Sequence, residues 1–291
     1  MTPASFRYHA PGSVAEAIGL LAGRRARALA GGQSLLPALT ARADTPETVV
    51  DLNRIRGLPG IELLDGRLRT GALVRQQAAL DHGGLRAAQP LLHRALGRIG
   101  HRAVRNRGTL VGSLCQLDPW AELPLAAAAL EATLLVAGPG GQREVGFGAF
   151  AAAPNRPSLA QGEMVLAADW PLWPAGHGAG FVEMSRRPND PALVAAAALV
   201  LLDAGGRVLR AAVALGAVTP LPLRLRAVEA ALAGQPAHQA GEAARALLAE
   251  DLAGHPVRDD ALADAAYRRR VAPVLAARAV AAAVAEAAAD G

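Results

Sequence analysis

An α+β chain of two parts is predicted by three features. Helical and extended segments alternate up to about residue 150, prolines and glycines crowd residues 151–180, and two strands followed by helices fill the remainder. With 291 residues, 52% hydrophobic and 19% charged, the chain can bury one or two cores, and length alone suggests about two domains.

Each element follows from local chemistry. Ser13-Val14-Ala15-Glu16 reads as a capping box, and Val14, Ala17, Ile18 and Leu21 follow at helical spacing to a stop near Gly23. A short strand over residues 27–30 runs into Gly31-Gly32-Gln33-Ser34, which opens a helix over 35–41. Residues 48–52 are β-branched and form a second strand, while 61–64 and 67–70 flank Asp65-Gly66, a favoured hairpin turn.

A helix over 91–99 buries Leu92, Ala95, Leu96 and Ile99, and an arginine stretch then leads into a second glycine-containing loop, Thr109-Leu110-Val111-Gly112-Ser113. Residues 122–131 read as a helix and 133–137 as a strand ended by Gly138-Pro139-Gly140-Gly141. Pro154, Pro157, Pro171, Pro174, Gly176, Gly178 and Gly180 mark a boundary, although 164–170 also reads as a strand. Beyond it, strands over 192–203 and 207–215 meet at Ala204-Gly205-Gly206, and helices cover 224–233, 240–252 and 274–289.

Composition excludes several chemistries. Cys115 is the single cysteine, so this chain alone forms no internal disulfide and no cluster held by several thiolates. The seven histidines show no ligand spacing, and no metal site is expected. All 30 basic residues are arginine, which rules out a Schiff-base lysine and a Walker-type phosphate lysine. The net charge of +5 is modest, and a pI near 10.7 reflects arginine's high pKa. Arg102, Arg105 and Arg107 form the densest basic stretch, but with 3% aromatics there is no stacking platform, and nucleic acid is not an expected partner. No uninterrupted apolar run reaches transmembrane length and the first residues lack the order of a secretion signal, so a cytoplasmic location is expected.

The two glycine-containing loops are suited to a diphosphate. Glycine lets the backbone approach an anion, successive N–H groups form a concave donor set, and hydroxyls add contacts without a cationic side chain. The G-x-G-x-x-G fingerprint is absent, so a dinucleotide would bind on another architecture. Ser34 lacks the second glycine of a nucleophile elbow, and no catalytic residue is assigned. Asp118 and Glu122, four apart, read as an acid–base pair, as acceptors for ribose hydroxyls, or as a cap before Pro119. Cys115 reads as a small buried hydrophobe, and Trp120, Trp170 and Trp173 as core or interface residues.

Three segments together carry a resemblance: Leu29-Ala30-Gly31-Gly32-Gln33-Ser34-Leu35-Leu36-Pro37, then Val104-Arg105-Asn106-Arg107-Gly108-Thr109-Leu110-Val111-Gly112-Ser113-Leu114, then Asp118-Pro119-Trp120-Ala121-Glu122-Leu123-Pro124. They resemble the FAD-binding medium subunit of the xanthine dehydrogenase and carbon monoxide dehydrogenase family, the molybdenum hydroxylases. The likeness continues through residues 181–194 and Tyr267-Arg268-Arg269-Arg270-Val271.

The resemblance implies an α+β fold with a flavin domain of the PCMH or vanillyl-alcohol-oxidase-like kind over 1–175, in subdomains of about 1–56 and 57–175. A C-terminal CO-dehydrogenase-flavoprotein-like domain, a small antiparallel sheet plus helices, would cover 178–291. It implies FAD as cofactor, with Leu29, Ala30, Gly31, Gly32, Gln33, Ser34 and Leu35 around the diphosphate and Thr109, Leu110, Val111, Gly112 and Ser113 as the facing loop. Ile99 would lie near the flavin or adenine end, Asp118 and Glu122 near ribitol or ribose hydroxyls, and Val165 would lend backbone contacts. The implied partners are a large molybdopterin subunit and a small subunit with two [2Fe-2S] clusters, assembled as a dimer of heterotrimers.

By that likeness the chain passes electrons from partner clusters through FAD to an external acceptor. The alternatives are a self-sufficient FAD oxidoreductase and a cofactorless scaffold subunit. Two departures bear on the choice. Val111 replaces the first glycine of the usual Thr-Ile-Gly-Gly, so the loop either takes ordinary φ or holds the diphosphate less closely. Asn189-Asp190-Pro191 stands where relatives often have Gly-Asp and an aromatic, and Pro191 offers no ring to stack on the isoalloxazine.

Overall fold

A computed structural model describes residues 2–289 of the chain. In chain order the first elements are β1 (Arg7–His9), α1 (Val14–Leu21), β2 (Ala26–Leu29), α2 (Leu35–Thr40) and β3 (Thr48–Asp51). The three strands form a parallel sheet in the order β1-β3-β2. The capping box closes α1, with the Glu16 amide donating to Ser13 Oγ at 3.2 Å and the Gly12 amide donating to Glu16 Oε2 at 2.9 Å. Ala17 and Leu21 bury one face of that helix.

Next come β4 (Ile61–Leu64), β5 (Arg67–Gly71), α3 (Gln76–Leu80), α4 (Gly83–Ala88), α5 (Pro90–Leu96), α6 (Arg102–Arg105), α7 (Leu110–Gln116) and α8 (Glu122–Leu130). They are followed by β6 (Thr133–Gly138), β7 (Gly141–Gly146), α9 (Phe147–Phe150), the short pair β8 (Ala151–Ala153) and β9 (Arg156–Pro157), and β10 (Met164–Pro171). A five-stranded antiparallel sheet takes the order β4-β5-β10-β6-β7. The proline-rich stretch expected to divide the chain therefore supplies this sheet's central strand. Its punctuation is local, because Pro171 ends β10, whose last turnward residues are anchored elsewhere: Trp170 is fully buried and its indole N–H donates to Thr70 Oγ1 at 2.9 Å. Asp169, also buried, receives both arms of the Arg69 guanidinium at 2.6 and 2.7 Å.

The last part holds β11 (Gly178–Met184), β12 (Val194–Leu202), β13 (Val208–Gly216), β14 (Leu223–Arg224), α10 (Arg226–Leu232), α11 (Ala240–Asp251) and α12 (Ala265–Ala289). The strands pair antiparallel in order. Both faces of this sheet are covered, which is why residues 194–200 are apolar without alternation. Ala195, Ala197, Leu199, Ala212 and Ala214 belong to the core shared with α5 and α8, whereas Ala196, Ala198, Val200, Val213 and Leu215 face α10 and α12.

Two expectations are corrected here. Gly178 and Gly180 are strand residues, and a Cβ on either would strike the backbone of α12 at Ala283 or Ala279, so these glycines permit strand and helix backbones to touch. The last helix begins at Ala265 and runs through Pro273, nine residues ahead of the predicted start at 274; tertiary burial of Ala272, Leu275, Ala276 and Ala279 outweighs the hydrogen bond lost at proline. By length and composition α12 is apolar enough to cross a membrane, but its buried stripe is packed on β11, β12 and α11.

Candidate functional site

The first glycine segment leaves the end of β2 and turns through Gly32, whose φ of 73° is one that glycine adopts without steric cost. Ser34 then precedes α2. The amides of Gly31, Gly32, Gln33 and Ser34 have no acceptor among the described residues, whereas the Gly32 and Ser34 carbonyls begin the helix by accepting from Leu36 and Ala38. Four successive open N–H groups, on residues that are partly or fully exposed, offer the neutral donors that an anion requires.

The second segment differs from expectation. Thr109 is an N-cap, its Oγ1 accepting from the Gly112 amide at 3.0 Å, and Leu110 to Ser113 form the first turns of α7. Leu110 and Leu114, one helical turn apart, are fully buried, and this packing converts a glycine-serine stretch into helix. Val111 takes ordinary negative φ and is buried, so its branched side chain imposes no strain. The cost of that order is donor capacity: the amides of Leu110, Gly112 and Ser113 go to Val74 O, Thr109 Oγ1 and Thr109 O, leaving those of Thr109 and Val111 open.

The fold brings the two segments into contact. A Cβ on Gly31 would lie against the Arg107 carbonyl oxygen and 2.8 Å from Gly108 Cα. Beside them, Asn53 Nδ2 donates to the Ala30 carbonyl at 2.9 Å, and Arg75 donates to Asn53 Oδ1 and to the Arg107 carbonyl, both at 2.5 Å. No motif marked Asn53 or Arg75; the signal available was only that Arg75 directly follows the apolar run Ala72-Leu73-Val74.

Ile99 is buried just past α5, its carbonyl accepting from Arg105 Nη1 at 2.8 Å, so Arg105 serves its own turn and Gln77 rather than an external anion. Val165 is buried in β10 beside a bulge, where the Leu166 carbonyl turns to accept from the Ala72 amide. Asp118 and Glu122 lie past the other end of α7, about 10 Å of helix rise from Thr109. Leu117 makes that turn in the left-handed region at φ 49°, Asp118 Oδ1 then accepts from the Trp120 amide at 3.4 Å, and Glu122 opens α8.

These carboxyls have a third companion, Glu183 of β11, one of whose oxygens is buried without a hydrogen bond among the described residues. Burial, then the charges of Glu183 and Asp118, push Glu122 up to about 8. Burial pushes Glu183 up to about 7 against the pull of Arg98, and burial raises Asp118 in spite of its backbone bond and Arg258. Glu183 was legible only as a lone charge in the apolar run 178–184. Arg258 stacks over Trp120 at 4.9 Å and closes this end of the region. Asn189 sits at φ 68°, a left-handed position suited to glycine, and Pro191 is exposed.

The donor set fits a diphosphate cofactor. Six open amides lie on two touching segments and offer neutral donors to an anion, the absence of a Cβ at Gly31 lets the Arg107–Gly108 backbone pack directly against the first segment, and the carboxyls stand a helix length from Thr109. Among the described residues no cluster of His, Cys, Asp and Glu is arranged to hold a metal ion.

Comparison with known proteins matches residues 4–173 to the FAD binding domain in molybdopterin dehydrogenase, and residues 179–283 to the CO dehydrogenase flavoprotein C-terminal domain. The carbon monoxide dehydrogenase medium chain of Afipia carboxidovorans is 33% identical over 282 residues, 96% of this chain and 97% of that one. Subunit alpha of the 6-hydroxypseudooxynicotine dehydrogenase complex of Paenarthrobacter nicotinovorans is 38% identical over 213 residues, 72% of each chain. Among solved structures, reconstituted CO dehydrogenase from Oligotropha carboxidovorans superposes with a TM-score of 0.93 at 32% identity, covering 98% of this chain and 100% of the other.

Proposed function

Because the chain belongs to the family of FAD-binding subunits of molybdopterin dehydrogenases, we propose that it is the FAD-holding, electron-transfer subunit of a molybdopterin-dependent oxidoreductase. It would stand between the [2Fe-2S] clusters of a small partner and an external acceptor, with substrate oxidised on a large molybdopterin subunit, in a dimer of heterotrimers in the cytoplasm. When bound, FAD supplies an isoalloxazine that exchanges one or two electrons.

The observation that carries this reading is the run of open amides at Gly31, Gly32, Gln33 and Ser34, set against the Arg107–Gly108 backbone. In this reading those amides, with Thr109 and Val111, hold the diphosphate by neutral donors in a chain without lysine. Leu29, Ala30 and Leu35 shape the ends of the first segment, Leu110, Gly112 and Ser113 fix the second, and Ile99 and Val165 wall the cofactor's apolar portions. Asp118 and Glu122 accept from hydroxyls, and a protonated Glu122 can also donate. We place the division between the flavin domain, 1–175, and the C-terminal domain, 178–291, at the exposed turn before β11.

The test is purification of the full chain with whatever it assembles with, followed by release and quantitation of flavin. About one FAD per chain is expected, together with molybdenum and iron on co-purifying subunits. A colourless assembly without releasable flavin would favour the scaffold alternative, and substrate-dependent flavin reduction by the isolated chain would favour the self-sufficient one.

A further inference from the structure

One polar chain of contacts links the two glycine segments. Asp51, at the end of β3, accepts from the Asn53 amide at 3.0 Å and from Asn53 Nδ2 at 2.5 Å, and its other oxygen accepts from Tyr8 at 2.5 Å. Asn53 thus has its side-chain amide locked, with Nδ2 on the Ala30 carbonyl and Oδ1 facing Arg75. Arg75 completes the link by donating to Asn53 with one arm and to the Arg107 carbonyl with the other. The backbone beside Arg75 is joined to the second segment as well: the Gln76 amide donates to the Gly108 carbonyl at 2.9 Å and the Leu110 amide to the Val74 carbonyl at 3.1 Å.

The choice of groups matters physically. Both assigned guanidinium bonds go to neutral oxygens, so the charge of Arg75 is not cancelled at contact distance by either of them. Burial and the neighbouring Arg107 charge both act against the Arg75 cation, opposed by Asp51. A guanidinium retained in such surroundings spreads positive potential over the backbone it binds, and a diphosphate gains from that potential at short range. Arginine also has the fork needed to hold an amide oxygen and a carbonyl together, which a lysine ammonium on a flexible stem holds poorly.

Resting on the reading of this region as a FAD site, we propose that Asn53 and Arg75 form a clasp that sets the Ala30–Ser34 and Arg107–Val111 segments in the spacing a diphosphate requires. They are positioning residues: neither contacts the reacting part of the cofactor, and both act through the backbone amides that do the binding. The clasp supplies a cationic contribution that the amide donors themselves lack. It also spans three sequence regions, so cofactor affinity depends on residues far from either glycine segment.

The test uses the full chain in the assembly it purifies with, stripped of flavin and titrated with FAD by fluorescence quenching. Arg75→Ala is expected to weaken FAD binding about tenfold or more, the value of one charge-assisted hydrogen bond. Asn53→Ala should weaken it comparably, and the double variant should lose little more than the worse single one, since either change breaks the same chain of contacts. Arg75→Lys should recover only part of the loss. Amide hydrogen exchange should quicken at Leu36, Gln76 and Leu110, whose amides are bonded in or beside the two segments, in the flavin-free variants while their melting temperature stays near that of the parent, a split that general destabilisation would not produce. Should Arg75→Ala fail to fold, Arg75→Lys and Asn53→Ser carry the same measurements. Affinities within twofold of the parent, or fully additive losses in the double variant, overturn the clasp. A parent assembly that binds no FAD overturns the underlying reading instead, so the two failures are distinguishable.

Discussion

The position a Cβ would occupy on Gly31 is already taken by the carbonyl oxygen of Arg107. Two backbone segments far apart in sequence are therefore in contact with no side chain between them, and each carries amides without an acceptor among the described residues. In a site that binds by backbone donors, this spacing is the functional variable.

Gly31→Ala tests it directly. The added methyl meets backbone, which cannot rotate away, so one segment must shift; overpacking of this kind costs about 1–3 kcal/mol. The expected result is a lowered melting temperature and a weakening of FAD binding larger than that of Gly32→Ala in its local effect on residues 107–108, read by amide exchange. Unchanged FAD affinity in Gly31→Ala would show that the contact between segments is irrelevant to binding.

How much of this was legible from sequence depends on the range of the interaction. The capping box at Ser13 and Glu16 and the Asp65-Gly66 turn are local devices, and helix and hairpin form where those residues indicate. The helical state of Leu110 to Ser113 was not legible, because Gly112 and Ser113 carry loop preferences and only burial of Leu110 and Leu114 overrides them. Gly178 and Gly180 read as punctuation because the backbone of α12 that they accommodate is a hundred residues away. In the candidate site the glycine segments themselves were visible, whereas Glu183, Asn53 and Arg75 enter only through tertiary contacts that no spacing encodes.

The lone thiol offers a chemical check. Although Cys115 as a residue is only partly buried, its surroundings desolvate the sulfur and push its pKa up to about 12. The native chain is expected to resist alkylation by iodoacetamide at pH 8 and to react readily once unfolded in urea. Rapid native labelling at that pH would contradict the burial of this side chain in α7.

The acidic group makes a pH prediction whose sign is fixed. Glu122 and Glu183 are raised from an ordinary 4.5 to about 8 and about 7, so between these values the folded chain binds more protons than the unfolded one. Stability from this source is fully present below about 4.5 and declines as pH rises through 7 and 8. In the flavin-free protein, Glu183→Gln removes one buried charge and the repulsion on Glu122. Its melting temperature should match the parent near pH 5 and exceed it at pH 8. A variant that is less stable than the parent at pH 8 would mean that ionised Glu183 is held by a favourable partner.

Arg268 carries the last prediction. Its side chain is fully buried in α12, yet every arm is occupied: Nε donates to the Leu193 carbonyl at 3.2 Å, Nη1 to the Arg258 and Ala263 carbonyls at 3.0 and 2.6 Å, and Nη2 to both oxygens of Asp260 at 3.0 and 3.1 Å. One guanidinium thus anchors the segment from 258 to 263, and with it the Arg258 side chain that stacks on Trp120 beside Asp118. Truncation to Ala strips the Leu193, Arg258 and Ala263 carbonyls of their guanidinium donor and leaves Asp260 to Arg258 Nη2 at 2.7 Å and the Leu262 and Ala263 amides, a loss of about 3 kcal/mol for a broken buried charge network. Lysine has neither the planar fork nor enough donors in the right plane, so Arg268→Lys should recover less than half of that loss in urea unfolding. Asp260→Asn keeps an acceptor for the fork and should be milder than Arg268→Ala. If Arg268→Ala instead unfolds at the parent's urea midpoint, the segment is held by its own backbone bonds and the guanidinium is dispensable.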